Sequence, residues 1–330
     1  MKKNVLIKGS VLIAFCVATS VSACTKETET TQLPISHPTN PQTNQPIYTL
    51  ESSMQADASL LGKDYNAINQ YMHRFGWDYT ENPNFSDIDD KNGIHCKVEY
   101  DNDIAQYVFQ FFIHANNEVL DGDRGKLIDR QRNEMKSQTS SAWYKINGNW
   151  DERQKLSWKF RIPKKFRPST NFCHIHQLKA QEGNNGAPLI TITPRCDGDG
   201  SNRRMQVIHT GDVPSASKGT IIDNLPLSDF EGQWVQVETE MHYTHHGSFK
   251  IKMTRINDGK ILVDKSFNDI DLWRKGAVSI RNKFGIYRSY GKTLTGFTDR
   301  PTNGIKDESL MLADFKVYEA QTNTNPTPHD

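Results

Sequence analysis

Five cysteines in 330 residues, none spaced as Cys-x-x-Cys, leave little for a disulfide framework or a cysteine-bound zinc. Charge of one sign is also scarce. Forty Lys and Arg stand against 39 Asp and Glu, a formal balance of +1, so affinity for a nucleic acid or another polyanion cannot come from bulk charge and must come from local placement. No apolar run approaches the ~20 residues a spanning helix needs. With 35% hydrophobic and 24% charged residues, 21 Gly and 14 Pro, disorder, collagen and a multi-span membrane protein are excluded. The length suits one large all-β or barrel domain with tails.

The amino end reads as a targeting segment. Lys2, Lys3 and Lys8 precede an apolar run from Val11 to Val21 that is too short for an anchor helix. Val21-Ser22-Ala23-Cys24 resembles the bacterial lipobox, which implies cleavage before Cys24, lipid on that cysteine and attachment to a bacterial cell-envelope membrane as an outer-membrane lipoprotein facing periplasm or surface. Removing residues 1–23, with three lysines and no acid, turns the balance to 37 minus 39, or −2. Of the remaining thiols, Cys96, Cys173 and Cys196, the last two lie on neighbouring strand-like segments and are a plausible disulfide pair. Residues 24–51, rich in Thr, Pro, Asn and Gln, read as a flexible tether, residues 321–330 as a disordered tail, and residues 52–320 as the folded unit.

Inside that unit the dominant period is two. Leu156, Trp158, Phe160 and Ile162 alternate with Lys155, Ser157, Lys159 and Arg161, burying one face of a strand and wetting the other. Similar runs fall at 107–113, 171–179, 189–193, 205–209, 234–242, 249–256, 260–264, 276–281, 283–289 and 312–318, punctuated by turn dipeptides such as Asn147-Gly148 and Asp258-Gly259. A helix is expected only early, around 57–75. The fold class expected is all-β, a two-sheet antiparallel jelly-roll sandwich of concanavalin-like type with a short N-terminal helix.

Positive charge is concentrated locally. Residues 153–181 hold eight Lys or Arg and no acid, and 272–298 hold six and none, which suggests a groove for an anionic polymer, with about half of these side chains expected on the outer sheet. Three motifs accompany the charge. Arg130-Gln131-Arg132-Asn133-Glu134-Met135-Lys136 puts Arg132, Glu134 and Lys136 on one face. His174-Ile175-His176-Gln177-Leu178-Lys179 puts Gln177 and Lys179 on one face and His174 and His176 on the other. Lys283-Phe284-Gly285-Ile286-Tyr287-Arg288-Ser289 aligns Lys283, Gly285 and Tyr287, with Gly285 leaving room for a sugar ring.

In these motifs the sequence resembles the jelly-roll polysaccharide lyases, a group that includes alginate, glucuronan, ulvan and heparin lyases. The alginate enzymes carry Arg-x-Glu-x-Arg, Gln-x-His and Lys-x-Gly-x-Tyr strands. Arg132 and Glu134 match the first, with Lys136 in the final basic place. Gln177 matches the second, with Lys179 where the histidine would be. Lys283, Gly285 and Tyr287 match the third, and Lys-Phe-Gly-Ile-Tyr-Arg is close to the run in heparin lyases of the first type. The pattern as a whole stands nearest to ulvan and glucuronan lyases. The resemblance spans 123–318 and implies a carbon–oxygen lyase that cleaves a uronic-acid polymer by β-elimination, leaving 4,5-unsaturated ends.

Such chemistry needs the uronate carboxylate neutralised, a base for the C5 proton and an acid for the leaving oxygen. Arg132, Gln177 and Lys179 suit the first task. Tyr287 suits the other two if cations such as Lys283 or Lys179 favour its phenolate. Glu134, Lys136, Lys283, Arg288, His209, His176 and His174 are expected to line the substrate. The missing histidine at 179 favours a glucuronate-type polymer, because its C5 proton and O4 lie on one side where a single tyrosine can serve both, unless His174, His176 or His209 reaches the groove. No cofactor, catalytic metal or nucleic acid is expected, and a monomer is. Asp197, Asp199 and Asn202 in a Gly-rich turn are candidates for a structural calcium, whereas His242, His245 and His246 read as a wet hairpin end. Two rival functions remain. A glycoside hydrolase would use Glu238 and Glu240, roughly 7 Å apart by strand rise. A non-catalytic carbohydrate-binding lipoprotein would keep the basic groove without using Tyr287. On this boundary, a chain that begins near Ser52 is expected to fold and act normally, which thermal melting and an activity assay would check.

Overall fold

The structure, a computed structural model, describes residues 46–83, 94–115, 120–124, 126, 129–294 and 304–321. The expected signal peptide, Cys24 and most of the tether lie outside the described residues, as do 322–330. Among the described residues no helix is long and apolar enough to cross a membrane.

Along the chain the strands are β1 (Tyr48–Met54), β2 (Trp77–Glu81), β3 (Cys96–Asp101), β4 (Gln106–Ile113), β5 (Arg130–Ser137), β6 (Arg153–Arg161), β7 (Cys173–Gln181) and β8 (Ile190–Arg195). They continue with β9 (Arg204–His209), β10 (Gly219–Pro226), β11 (Val235–His242), β12 (Gly247–Arg255), β13 (Ile261–Ile270), β14 (Ser279–Ser289) and β15 (Glu308–Ala320). Two antiparallel sheets result. The order is β13-β12-β11-β6-β15-β4-β3 in one, with β1 also on β15, and β10-β9-β8-β7-β14-β5-β2 in the other. This is the expected two-sheet jelly-roll sandwich.

The period-two pattern explains the layers. On β6, Leu156, Trp158 and Phe160 are buried and the residues between them are not. They meet the inward face of the other sheet, where Phe284 packs against Trp158 (4.9 Å between ring centroids), Phe315 (5.0 Å) and Trp77 (5.5 Å). Large aromatic side chains supply much of the apolar area removed from water. The outward lysines of β6 do not join a groove. Lys155 pairs with Glu240 (3.6 Å), Lys159 with Asp314 (3.2 Å) and Arg161 with Asp101 (2.6 Å) on the far sheet. Of the eight cations in 153–181, Lys179 alone stands on the sheet that carries the three motifs.

Several expectations are corrected. The helix is shorter, α1 at Tyr65–His73, because Asp57 and Asp64 each cap a separate turn and Gly62, at φ 65°, breaks the run between them. The segments 276–281 and 283–289 form one strand, β14. β1, β2, β3 and β10 were not anticipated, being short and of mixed polarity. Nor do Cys173 and Cys196 form a disulfide. Both are buried thiols, and Cys196 Sγ donates to the Pro168 carbonyl at 3.1 Å.

The fold also begins before Ser52. β1 pairs with β15 from Tyr48↔Ala320 to Met54↔Phe315, and Gln321 N donates to Ile47 O at 2.8 Å. Starting the chain at Ser52 would remove four of the seven residues of β1. A chain starting at Gln45 should melt like the whole protein, whereas one starting at Ser52 should melt at least about 2 °C lower. Circular dichroism of the two would check this, and equal melting would restore the later boundary.

Candidate active site

The three motifs lie side by side in the centre of the seven-stranded sheet, because β14 pairs with β5 on one edge and β7 on the other. Against β5, Lys283, Gly285 and Tyr287 stand opposite Lys136, Glu134 and Arg132. Against β7, Arg281 and Lys283 stand opposite Lys179 and Gln177. Alternation then sends these side chains away from the core, while Gln131, Asn133, Met135, Phe284 and Ile286 turn inward.

A buried ammonium forms the floor. Lys283 is 2% exposed; its Nζ donates to Glu81 Oε2 and lies 3.7 Å from Glu134 Oε2. Glu81, at the end of β2, also receives Arg132 Nη1 at 2.9 Å and Lys136 Nζ at 3.5 Å. Burial alone would raise the Glu81 carboxyl, yet the charges of Lys283, Arg132 and Lys136 hold it far below the usual carboxylate range. Glu134 is wholly buried and is pushed up by that burial, against the pull of Lys283 and Arg132. It accepts Gln177 Nε2 at 2.5 Å. Glu81 is therefore the carboxylate that neutralises Lys283, and Glu134 positions Gln177 from beneath.

Above this floor stands Tyr287. The Arg132 guanidinium lies 3.9 Å from its ring centroid, and Arg130 Nη1 donates to its hydroxyl at 2.9 Å while Asp129 holds Arg130 through a bond of 2.5 Å. Burial raises the phenol above its ordinary value despite Arg132 and Arg130, so the expected phenolate is replaced by a protonated tyrosine. Arg132 is itself committed, with Nε 3.1 Å from Asp123 as well as the bond to Glu81.

The histidines part company. β14 has two residues, Gly285 and Ile286, where β7 has one between the register pairs Phe284↔His176 and Tyr287↔His174. This bulge breaks the alternation that would place His174 and His176 on one face. His176 faces the core, 4.7 Å from Phe284 and 5.4 Å from Trp158 between ring centroids. His174 lies beside Tyr287 at 6.1 Å and stacks on Phe172 at 5.2 Å. Burial, reinforced by Arg195, Lys179, Arg132 and Lys283, pushes the His174 imidazole down to about 3, so it is neutral near pH 7. Gly285 does not leave space for a sugar. Its φ is 146°, and a Cβ there would come 2.1 Å from the Asn133 carbonyl oxygen and 2.6 Å from Glu134 Cα, so the glycine lets β5 and β14 approach.

Lys179 is the least committed cation of the expected set, with a single bond from Nζ to Gly186 O at 3.3 Å. Burial, then repulsion from Lys283 and Arg132, lowers it to about 8. Neighbouring Arg281 stays on the same face with its pKa lowered by burial.

Five expected substrate-binding residues are covered in this arrangement, Lys283 among them as the floor, and Gln177, expected to meet the substrate carboxylate, is 1% exposed and bonded to Glu134 instead. Glu134 is covered; His176 is in the core; Arg288 is wholly buried, with Nε on Gln131 Oε1 at 2.5 Å. His209 is spent at both nitrogens, Nε2 with Asp271 O at 2.6 Å and Nδ1 accepting Lys218 N at 3.0 Å. In each case the side chain sits on the inward side of its strand or beneath its neighbours. Sequence reading missed Glu81, Asp123, Arg130 and Phe172. Arg130 was signalled by its basic motif; the short alternation of β2 would put Glu81 on the inward face of Trp77 and Tyr79, and only a register shift against β5 between Asp78 and Glu81 brings it to Lys283.

Elsewhere, Asp199 accepts from Ser201 N and Oγ, and Asp197 from Arg204 and Asn202, so the calcium candidates bond within their own turn. His242, His245 and His246 pair with three different aspartates, Asp151, Asp271 and Asp269. Glu238 and Glu240 border a cavity of about 630 Å³ on the far sheet, with Lys155, Lys250, Lys252 and Lys316. Their cross-strand partners are Lys252 and Lys250, and Glu240 also accepts Tyr48 Oη at 2.7 Å, which is the pattern of a solvated ion-pair face.

No family model and no curated protein matches the chain. Solved structures of similar fold include an endo-β-1,4-glucuronan lyase from the fungus Trichoderma reesei, at 13% identity and TM-score 0.44 over 74% of this chain and 94% of that one. Alginate lyase Aly36B matches at 11% identity and TM-score 0.46 over 82% and 97%. An alginate lyase of Pseudomonas aeruginosa, PA1167, matches at 18% and 0.39 over 67% and 84%.

Removing Glu81 should test the floor. Glu81→Ala leaves the Lys283 ammonium buried without its nearest carboxylate and is expected to cost about 3–5 kcal/mol in urea unfolding. Because the folded-state pKa of Glu81 is depressed, its contribution is complete above the ordinary carboxylate range and is lost as pH falls below it. The difference between wild type and Glu81→Ala should therefore narrow in acid; a pH-independent difference would sever the charge from the effect.

Proposed function

We propose that the protein is a polysaccharide lyase acting on a uronic-acid polymer by β-elimination. The observation that carries this reading is the pairing of a protonated Tyr287, held at its hydroxyl by Arg130, with a neutral His174 on the same cation-rich face. The uronate carboxylate would be met by Lys179, with Arg281 beside it, making the C5 proton acidic. His174 would take that proton. As the C5–H electrons become the C4=C5 double bond, the C4–O4 bond breaks and Tyr287 delivers its proton to O4. The imidazolium proton returns to the phenolate directly or through solvent, so the cycle consumes nothing else.

This division of labour differs from a single tyrosine working as both base and acid. Glucuronan or ulvan was favoured by the absence of a histidine, and His174 removes that reason. With two proton-transfer groups the face carries what is needed when the C5 proton and O4 lie on opposite sides, as in guluronate or iduronate, as well as on the same side. A panel of glucuronan, ulvan, alginate and heparin, followed by ultraviolet absorbance of the unsaturated product, would assign the polymer. A hydrolase would yield reducing ends without that absorbance, and a binding protein neither. We further propose, from Lys2 to Cys24, that the enzyme works at the bacterial envelope tethered by lipid on Cys24.

Tyr287→Phe and His174→Ala are each expected to remain folded and to lose at least about 10²-fold in turnover, the usual scale for a general acid or base. Near-normal product formation by Tyr287→Phe would refute the assignment. Arg132→Ala, by contrast, should lower melting as well as turnover, because it empties three ion pairs, with Glu81, Asp123 and Glu134.

The pH profile gives a separate check. Lys179 is a cation below about 8 and loses its charge above, while His174 is neutral at all pH values well above about 3. Activity should thus fall on the alkaline side near pH 8, and Lys179→Arg should carry that limb upward; an unmoved limb would assign it to another group.

A further inference from the structure

We propose that His95, His114 and Asp121 form a binding site for a divalent transition metal, zinc in the first instance, next to the site described above but separate from it. His95 directly precedes β3, His114 directly follows β4, and Asp121 lies on the segment leading towards β5. No spacing motif joins them in the sequence. Antiparallel pairing of β3 with β4 brings the two histidines together, with ring centroids 5.0 Å apart.

Their donor atoms converge. His95 Nε2 is 2.9 Å from Asp121 Oδ1, His114 Nδ1 is 3.1 Å from Asp121 Oδ2, and the two ring nitrogens are 3.4 Å apart. A tetrahedral zinc with bonds of about 2.0–2.1 Å sets its ligand atoms roughly 3.3 Å from one another; the two ring nitrogens already stand at that separation, and since the histidines contact different oxygens of Asp121, a small rotation of the carboxylate would bring one oxygen to both within a cluster whose donor atoms all lie inside 4.8 Å. Two imidazoles and a carboxylate are a donor set zinc favours when three protein ligands leave one position for water. The side chains of His95 and Asp121 are wholly buried and that of His114 is 16% exposed, which leaves the His114 side as the way in for a metal and its water.

The surroundings hold the triangle in place before any metal arrives. Asn133, turned inward from β5, donates to His95 O at 2.7 Å and to Phe112 O at 2.6 Å. Gln131 donates to His114 O at 3.1 Å and to Asp121 O at 3.3 Å. Asp121 itself accepts the His114 backbone N–H at 2.6 Å. These bonds fix the backbone that carries the three residues, and the one to Asp121 also orients its carboxylate, which reduces the ordering cost of coordination.

The site reaches the reaction face through a short segment. Two residues after Asp121 comes Asp123, which holds Arg132, and the Gly122 carbonyl accepts Arg132 N at 3.3 Å. A metal on Asp121 would fix that segment and with it the guanidinium under Tyr287. The metal is a positioning element in this scheme and touches no substrate.

The test uses the whole protein, stripped with a chelator and titrated with Zn²⁺ alone, with bound metal measured after gel filtration. One equivalent retained, a rise in melting temperature, and the visible bands of a tetrahedral complex when Co²⁺ replaces Zn²⁺ are expected. His114→Ala, at the most accessible ligand, should stay folded by circular dichroism and weaken Zn²⁺ binding by at least about 10²-fold. Asp121→Asn should weaken it too. Failure of the wild type to retain Zn²⁺, or undiminished retention by folded His114→Ala, would overturn the proposal and leave the cluster as a hydrogen-bonded triad. Metal retention is read without substrate, so its failure and a failure of the lyase reading are distinguishable.

Discussion

The ammonium of Lys283 is a charge withdrawn from water, and the architecture of the reaction face follows from keeping it there. An unpaired cation at that depth would cost several kcal/mol or give up its proton. Glu81 meets it from β2, Glu134 from β5, and the same carboxylates then gather Arg132, Lys136 and Gln177. The two carboxylates settle differently because one shares three cations and the other is shut beneath an amide. Removing any member disturbs all, so the effects of substitutions here should not add.

That same concentration of positive charge sets the proton inventory above it. It helps keep His174 neutral, and it depresses Lys179 to about 8. It does not ionise Tyr287, because the loss of water outweighs Arg132 and Arg130. In the proposed reaction, a neutral base and a neutral acid side by side would exchange a proton with the substrate without either having to be recharged from bulk solvent first. This explains how a face dense in cations can retain both kinds of group near neutral pH.

Much of this was legible in the residues. Period two exposed most of the long strands, and the spacing within each motif placed Arg132, Glu134, Gln177, Lys179, Lys283 and Tyr287 on one face, as alternation requires. What alternation cannot see is a change of register, and the bulge opposite Ile175 separated His174 from His176. Nor can it rank depth on a face: Glu134 and Gln177 point the right way yet lie under their neighbours. Glu81 was hidden by a register shift of the same kind, between Asp78 and Glu81 against β5, and β1 by its mixed polarity and by a partner, β15, that lies far along the chain. The run of basic residues misled because β6 and β7 are successive in sequence but belong to different sheets, so charges adjacent on paper are divided by the core.

The pairing of β1 with β15 has a topological consequence. Tyr48 and Ala320 are partners in register, so the described fold begins and ends at neighbouring points, on the sheet that does not carry Tyr287. The path of the backbone is nearly a closed ring. A short peptide could join those points and the ring be opened at an exposed turn such as Asp258-Gly259, giving a circular permutant with the same sheets and a different order of synthesis. In such a molecule β14, which the native chain makes next to last, would emerge near the beginning, so the order in which the central strands become available for pairing can be altered without altering a single contact of the finished site.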